Sequence, residues 1–188
     1  ICDNITPLEN MTDAVASKSA TLFSPGTATM WQNISRGGNR GNFVYRGENP
    51  QQGATIYYYL REETKGATVE ITERGKDDGP KMTVKLSAKP GINRYVWHFY
   101  FAPPELNNAE KKLVKQMQSL SDREERREYY DKIQKSIEER GFKFGGLNWQ
   151  TGRLNPIPAG PGVYTVTLKA GSDVLVKSLT VRKDPILN

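Results

Sequence analysis

The most informative stretch of this sequence is residues 92–101, which read INRYVWHFYF. Alternate positions in it carry the aromatic side chains of Tyr95, Trp97, Phe99 and Phe101. Alternate side chains of an extended strand point to the same face of a sheet, so these four rings share one face. The stretch therefore predicts a central strand that places Trp97 in the core between two stacked sheets.

Strand patterns continue on the N-terminal side of this stretch. Residues 55–62 are β-branched and aromatic, whereas residues 68–73 and 82–86 alternate apolar with polar side chains. Both patterns are typical of strands that bury one face. Between residues 68–73 and 82–86, Asp77 and Asp78 lie in a segment that contains Gly and Pro and is typical of a turn. No further oxygen donors follow at regular spacing, so the two aspartates do not predict a metal site.

A predicted hairpin follows near the C-terminus. Its strands are residues 163–169 and 174–181, joined by the turn AGSD. In the second strand Val176 is out of phase with Leu179, so we expect a bulge near Lys177 that restores the alternation.

Residues 105–141 change to the helical period. Apolar residues recur at three- and four-residue steps on both sides of residues 121–124, SDRE, which form a capping-box pattern beginning at Ser121. The segment predicts a helical hairpin inserted between strands. Its balanced charges indicate a solvated outer face, while Tyr129 and Tyr130 are the candidate residues for contact with a partner.

Residues 1–50 differ in composition from the rest of the chain. They are rich in Gly, Asn, Ser and Thr, with isolated hydrophobic residues. We expect an extended lead-in that packs on a neighbouring surface, with Phe23 as a candidate contact, followed by a domain at residues 51–188. Because the sequence begins with Ile1 and not Met, we expect it to be a piece of a longer protein.

Composition disfavours several classes of function. The 27 Lys plus Arg exceed the 21 Asp plus Glu by six, but this excess is diffuse and does not predict nucleic-acid binding. No apolar run approaches the roughly 20 residues that cross a bilayer, so we expect no membrane insertion. The single cysteine, Cys2, excludes an internal disulfide and any multi-cysteine metal site.

Catalysis has little support in the sequence, and no cofactor is predicted. His98 is the sole histidine, and no nucleophile or carboxylate is singled out beside it. Paired carboxylates for glycoside hydrolysis would have to be drawn from Glu62, Glu63, Glu70 and Glu73, which read as the solvent face of adjacent strands. We expect no catalytic residue and no metal ligand in this chain.

Exposed aromatic residues leave one alternative open. Sugar-binding modules stack sugar rings on flat aromatic side chains, and the candidates for that role are Trp31, Trp149, Tyr57 and Tyr59. A flat row of exposed rings would favour carbohydrate, whereas burial of Trp31 and Trp149 under the lead-in would favour a protein partner.

Four segments together resemble one known module. They are residues 48–60 (ENPQQGATIYYYL), 89–97 (KPGINRYVW), 158–168 (PAGPGVYTVTL) and 179–185 (LTVRKDP). They are similar to the immunoglobulin-like domain, related to that of flagellar hook-capping proteins, that follows the β-propeller in secreted bacterial sortilin-like, BNR-repeat proteins. Residues 3–8 (DNITPL) resemble the linker that leaves such a propeller.

The resemblance implies a mainly β fold, an immunoglobulin/fibronectin-III-like β-sandwich with an inserted α-helical hairpin and an extended N-terminal lead-in. It also implies a secreted, periplasmic or cell-surface location in a bacterium. The expected function is that of a non-catalytic accessory or interaction module, whose partner is an upstream β-propeller of the same polypeptide or an assembly partner. The alternative is a carbohydrate-binding module in a parent protein with glycosidase-like activity. Two features depart from the family: the hairpin at 105–141 is longer than the expected connection, and His98 stands where Asp or Asn is usual.

Overall fold

The structure, a computed structural model, describes residues 5–31, 52–76 and 79–185. These residues form mainly β-structure with four helices. The helices are α1 (Thr6–Glu9), α2 (Asp13–Ala16), α3 (Asn108–Ser119) and α4 (Arg123–Glu139). The strands are β1 (Ala20–Leu22), β2 (Ala28–Met30), β3 (Ala54–Leu60), β4 (Ala67–Glu73), β5 (Lys81–Leu86), β6 (Gly91–Trp97), β7 (Tyr100–Phe101), β8 (Leu147–Asn148), β9 (Arg153–Leu154), β10 (Ile157–Pro158), β11 (Gly162–Ala170) and β12 (Asp173–Lys183).

Two sheets contain most of these strands. One has the order β1-β3-β6, and the other has the order β2-β12-β11-β4-β5. Neighbouring strands are antiparallel, except that β2 runs parallel to β12. Two short antiparallel pairs, β7 with β10 and β8 with β9, complete the described β-structure. The strands predicted from alternation are therefore confirmed, with small shifts at their ends.

Side chains from both large sheets meet in one hydrophobic core. The alternation of β3, β4 and β11 places every second side chain in this core. Trp97 is only 1% exposed, as predicted, and its ring lies 4.9 Å from that of Tyr164 and 5.6 Å from that of Phe101, between ring centroids. Burial of large aromatic rings in such clusters is a major source of folding free energy.

The predicted strand at 92–101 is interrupted. β6 ends at Trp97, and Phe99 has a positive φ of 61°, which non-glycine residues rarely adopt. The turn sends Tyr100 and Phe101 to a different sheet, where they pair with β10. Phe99 and Phe101 nevertheless stay on the buried side, because both rings pack against Trp97.

The bulge expected in the last strand is absent, and that prediction is wrong. The pairing of β11 with β12 is continuous from Gly162 opposite Val181 to Ala170 opposite Asp173. Val174 and Val176 face outward and are exposed, whereas Leu179 and Val181 are buried. The strand therefore keeps regular alternation by exposing two valines.

The predicted helical hairpin is confirmed by α3 and α4. The N-cap of α4 is Asp122 and not Ser121, since the Asp122 carboxylate accepts hydrogen bonds from the amides of Glu124 and Glu125 at 2.8 and 2.9 Å. A complete capping box occurs instead at α3, between Asn107 and Glu110. The hairpin and the strands β8 and β9 share a hydrophobic cluster separate from that of the sheets.

The described part of the lead-in packs on this chain's own sheets. Its strands β1 and β2 extend the two sheets, which the composition of the segment did not predict. One hydrogen bond joins α2 to β3, since the Tyr59 hydroxyl donates to the Ala16 carbonyl at 3.3 Å. The Ser19 hydroxyl donates to the Asp173 carboxylate at the start of β12. Residues 1–4 and 32–50 of the predicted lead-in lie outside the described residues.

Tyr164 makes a partly buried hydrogen bond near the start of β11. Its hydroxyl donates to the carbonyl of Gly160, four residues earlier. Burial raises the pKa of the phenol above its ordinary value of 10.0, and the charge of Glu73 acts in the same direction. The hydroxyl therefore remains a donor at neutral pH and fixes the chain as it enters the sheet.

Replacing Tyr164 by Phe leaves the Gly160 carbonyl without this donor. We expect the free energy of unfolding to fall by about 1 kcal/mol, because a partly buried hydrogen bond is lost. Urea unfolding followed by circular dichroism measures the change. The matched control is Tyr100→Phe, since the Tyr100 hydroxyl makes no hydrogen bond within the described residues, and its effect should stay within about 0.5 kcal/mol. Equal losses in the two variants would contradict the assignment.

Candidate functional site

The four aromatic residues proposed to bind sugar lie in three separate places. Tyr57 and Tyr59 are half-buried on β3, where Tyr57 borders a small cavity with Pro7 and Phe23 of the lead-in. Trp31 lies near His98, and Trp149 lies in the turn from β8 to β9, beside the helical hairpin. The structure therefore brings only the two tyrosines together, and no flat row of these rings exists.

Trp31 belongs to a small polar cavity of about 120 Å³. Its carbonyl accepts a hydrogen bond from the Gln52 side chain at 2.9 Å. The Nδ1 atom of His98 lies 2.9 Å from the Gln52 carbonyl, which fixes the imidazole ring against the backbone. Trp31 is half-buried, so less of its ring is available for stacking than in a fully exposed tryptophan.

Trp149 is 52% exposed and borders an open groove. The groove has a volume of about 660 Å³ and lies between the two helices and the turn from β8 to β9. Seven side chains line it: Met117, Arg123, Arg126, Arg127, Tyr130, Asp131 and Trp149. An apolar surface with a few convergent charged groups is typical of a binding site.

A tight turn holds Trp149 in place. The Asn148 side chain accepts hydrogen bonds from the amides of Gln150 and Thr151, both at 3.0 Å. The turn ends at Gly152, whose φ is +66° and where an added Cβ would lie 2.7 Å from a methyl carbon of Val114 on α3. Only glycine fits both the conformation and this close approach. The turn therefore sits directly against α3 and presents Trp149 beside it.

Arg126 orders the groove from the side of α4. Its guanidinium group donates to the carbonyls of Leu120 at 2.8 Å and Ser121 at 3.1 Å, which closes the loop between the helices. The same group lies 5.0 Å from the centroid of the Trp149 ring, within the range of a cation–π contact. Arg126 is thus held in one position by three partners.

Arg123 and Arg127 are different, because both side chains are exposed. Within the described residues neither side chain makes an ion pair or a hydrogen bond. Sequence reasoning missed these arginines because it treated the charges of the segment as one balanced, solvated face. A signal was present, since three arginines occur in five residues at the start of a helix, where the helix dipole disfavours cations.

The three candidate partner residues have different surroundings. Tyr130 lines the groove and packs edge-on against Phe144, with 5.3 Å between ring centroids. Tyr129 is half-buried in the hairpin cluster, with the Lys132 ammonium 4.9 Å from its ring centroid. Phe23 is only 6% exposed and belongs inside the chain, so its side chain is not available to a partner.

A second groove among the described residues, of about 390 Å³, is lined mainly by Pro80, Lys81, Pro103, Pro104, Phe142 and Ile157, and it contains none of the candidate binding residues. Glu62 and Glu63 follow β3, whereas Glu70 and Glu73 lie on β4 in the other sheet. The described residues contain no group of three or more His, Cys, Asp or Glu side chains placed to hold a metal ion, while Asp77 and Asp78 lie outside them.

None of the described helices is long and apolar enough to cross a membrane.

A buried ion pair holds the two helices of the hairpin together. Glu110 on α3 is fully buried and accepts hydrogen bonds from Ser136 at 2.9 Å and Arg140 at 2.5 Å. Burial alone would raise the pKa of Glu110. The hydrogen bonds from Arg140, the Asn107 amide and Ser136, with the charge of Arg140, outweigh it and lower the pKa below its ordinary value of 4.5. Glu110 is therefore ionised at neutral pH.

Comparisons with known proteins identify no relative of this chain. It matches no protein-family model, no curated protein and no solved structure. Function is therefore inferred from the geometry of the groove and from the resemblance of the sequence motifs.

Replacing Glu110 by Gln tests the ion pair that positions the hairpin. At neutral pH we expect the free energy of unfolding to fall by about 1–3 kcal/mol, because Arg140 loses its charged partner. The folded-state pKa of Glu110 is lowered, so its contribution is present above about pH 4.5 and is lost as pH falls through the folded value. The difference between wild type and Glu110→Gln should therefore narrow in acid, as measured by urea unfolding at several pH values.

The matched control for this experiment is Glu139→Gln. Glu139 makes an exposed ion pair with Lys135 at 3.9 Å, which is worth less than about 0.5 kcal/mol. Two results would refute the role given to Glu110. One is equal stability of the wild type and Glu110→Gln at neutral pH, and the other is a stability difference between them that grows on acidification.

Proposed function

We propose that this chain is a non-catalytic interaction module of a larger exported bacterial protein, with an immunoglobulin-like sandwich as its framework. Its partner is a β-propeller of the same polypeptide or another assembly component. The single observation that carries the proposal is the ordered, exposed groove on the helical hairpin, with Trp149 and three arginines in its walls.

Strand order supports the immunoglobulin-like framework. The order β12-β11-β4-β5 corresponds to the G-F-C-C′ order of a variable-type immunoglobulin sheet, and β1-β3-β6 corresponds to A-B-E in the facing sheet. The hydrogen bond from Tyr164 to the Gly160 carbonyl has the position and direction of a tyrosine corner at the start of strand F. In this framework the helical hairpin is an insertion between strands E and F.

The separate core of the hairpin supports its role in binding. A connection that only joined two strands would need no hydrophobic cluster, buried ion pair or ordered turn of its own. Here all three fix the walls of an open groove, and ordering these walls before binding lowers the entropic cost of association. The export and propeller parts of the proposal are supported by the sequence motifs at residues 48–60, 89–97, 158–168 and 179–185.

A carbohydrate-binding role is favoured by one observation only, the exposed ring of Trp149. Against that role, the guanidinium of Arg126 already lies against this ring, and the other three candidate aromatics lie elsewhere. Stacking of sugar on this surface would therefore depend on a single partly covered tryptophan.

The interaction role is tested by hydrogen exchange of the chain alone and within the full-length product of its gene. We expect the amides of one contiguous surface of the chain to exchange about tenfold or more slowly in the longer polypeptide, since a stable interface excludes water and suppresses local opening. Core amides of β11 serve as the internal control and should exchange alike in both samples. A gene product no longer than this chain, or a surface without protected amides, would refute the role.

A glycan array tests the carbohydrate alternative with the wild type, Trp149→Ala and Trp31→Ala. We expect no consistent binding, because the rings form no continuous stacking surface. Reproducible binding to related glycans that is lost in Trp149→Ala and kept in Trp31→Ala would replace the interaction role with sugar recognition.

A further inference from the structure

We propose that the hairpin groove binds a short acidic peptide segment that carries an apolar side chain among its carboxylates. This inference rests on the proposed interaction function and names the chemistry of the partner. The apolar side chain lies against Trp149 and Tyr130, and the carboxylates pair with Arg123 and Arg127.

The apolar part of the groove is formed by Trp149, Tyr130 and Met117. Met117 is buried and forms the floor, while the rings of Tyr130 and Trp149 are held by Phe144 and by the β8–β9 turn, respectively. Gln118 on α3 secures that turn by donating to the Gln150 carbonyl at 3.1 Å. Rigid aromatic walls beside arginine are the most frequent anchors of protein interfaces.

The charged part of the groove consists of Arg123 and Arg127. They are four residues apart on α4, so their side chains leave the same face of the helix one turn apart, with about 5–6 Å between Cβ atoms. Neither stabilises the helix through its dipole, because both lie in its N-terminal half. Two unpaired guanidinium groups at this spacing match two carboxylates of a peptide, and arginine binds carboxylates in a bidentate manner.

The surroundings favour a peptide over a nucleic acid. Asp131 lies within the groove, and Glu124, Glu125 and Glu128 lie on the same helix. These carboxylates interrupt the positive charge along the helix, whereas binding of a continuous polyanion requires a basic stripe along the whole contact. A short segment with a few carboxylates needs only the local positive charge at Arg123 and Arg127.

Binding is measured with the complete chain and three probes. The first is a synthetic peptide with a central leucine flanked by aspartate and glutamate, the second has the same sequence with asparagine and glutamine in place of the acids, and the third is oligothymidylate. Calorimetry gives the affinity, and tryptophan fluorescence reports on Trp149, the most exposed tryptophan of the described residues. Each measurement is repeated at low and high salt.

The variants are Arg123→Gln with Arg127→Gln, and as a control Lys85→Gln with Lys169→Gln. Both pairs remove two positive charges from exposed positions, but the two lysines lie on β5 and β11, away from the groove. We expect the acidic peptide to bind the wild type and the lysine variant alike, and the arginine variant about tenfold or more weakly. The uncharged peptide should bind about tenfold or more weakly than the acidic one, and salt should weaken acidic binding.

Three results would overturn the inference: no binding of the acidic peptide, equal losses in the arginine and lysine variants, or tighter binding of oligothymidylate than of the peptide. Circular dichroism of each variant shows whether the helices remain folded. Protection from hydrogen exchange in the longer polypeptide without binding of the acidic peptide would remove this inference and leave the interaction role intact.

Discussion

The contact between the rings of Trp97 and Tyr164 is the constraint on which the fold depends. It joins the three-stranded sheet, through β6, to the five-stranded sheet, through β11. Phe99 and Phe101 complete the aromatic cluster, and they reach it only because the chain turns sharply after β6. A positive φ at a phenylalanine costs about 1–3 kcal/mol, whereas loss of a buried aromatic side chain costs about 3–5 kcal/mol. Packing therefore outweighs backbone strain at Phe99.

The helical hairpin depends on a different principle. Its cluster contains fewer large side chains than the core of the sheets, and its two helices are held by the ion pair between Glu110 and Arg140. Such a pair contributes less to stability than to a unique geometry, because removing charges from water offsets much of their attraction. Unique geometry is what the groove requires, since its walls come from α3, α4 and the turn from β8 to β9.

Local patterns in the sequence predicted the elements well and their connections less well. Each of β3, β4, β11, α3 and α4 buries one face. The apolar residues of that face recur with the period of a strand or a helix, so the sequence of the segment alone is enough to predict it. The turn at Phe99 and the parallel pairing of β2 with β12 depend on contacts between distant segments. The groove was missed for the same reason: Trp149 and Tyr130 were each recognised as candidates, but nothing local shows that a turn held by Gly152 places them together with Arg126.

The unbroken register of β12 has a consequence for solubility. On the side away from β11, residues 173–180 have no strand partner among the described residues, so this part of β12 is a sheet edge that carries the exposed Val174 and Val176. Exposed edges with apolar side chains invite pairing with strands of other molecules. Along the chain, Lys177 lies between these valines and the buried Leu179. It is paired with the buried Val166 of β11, so it occupies the same face of the sheet as the core residues. A second strand that paired with this edge would have to desolvate that ammonium group, and a charge in such a position disfavours pairing between sheet edges.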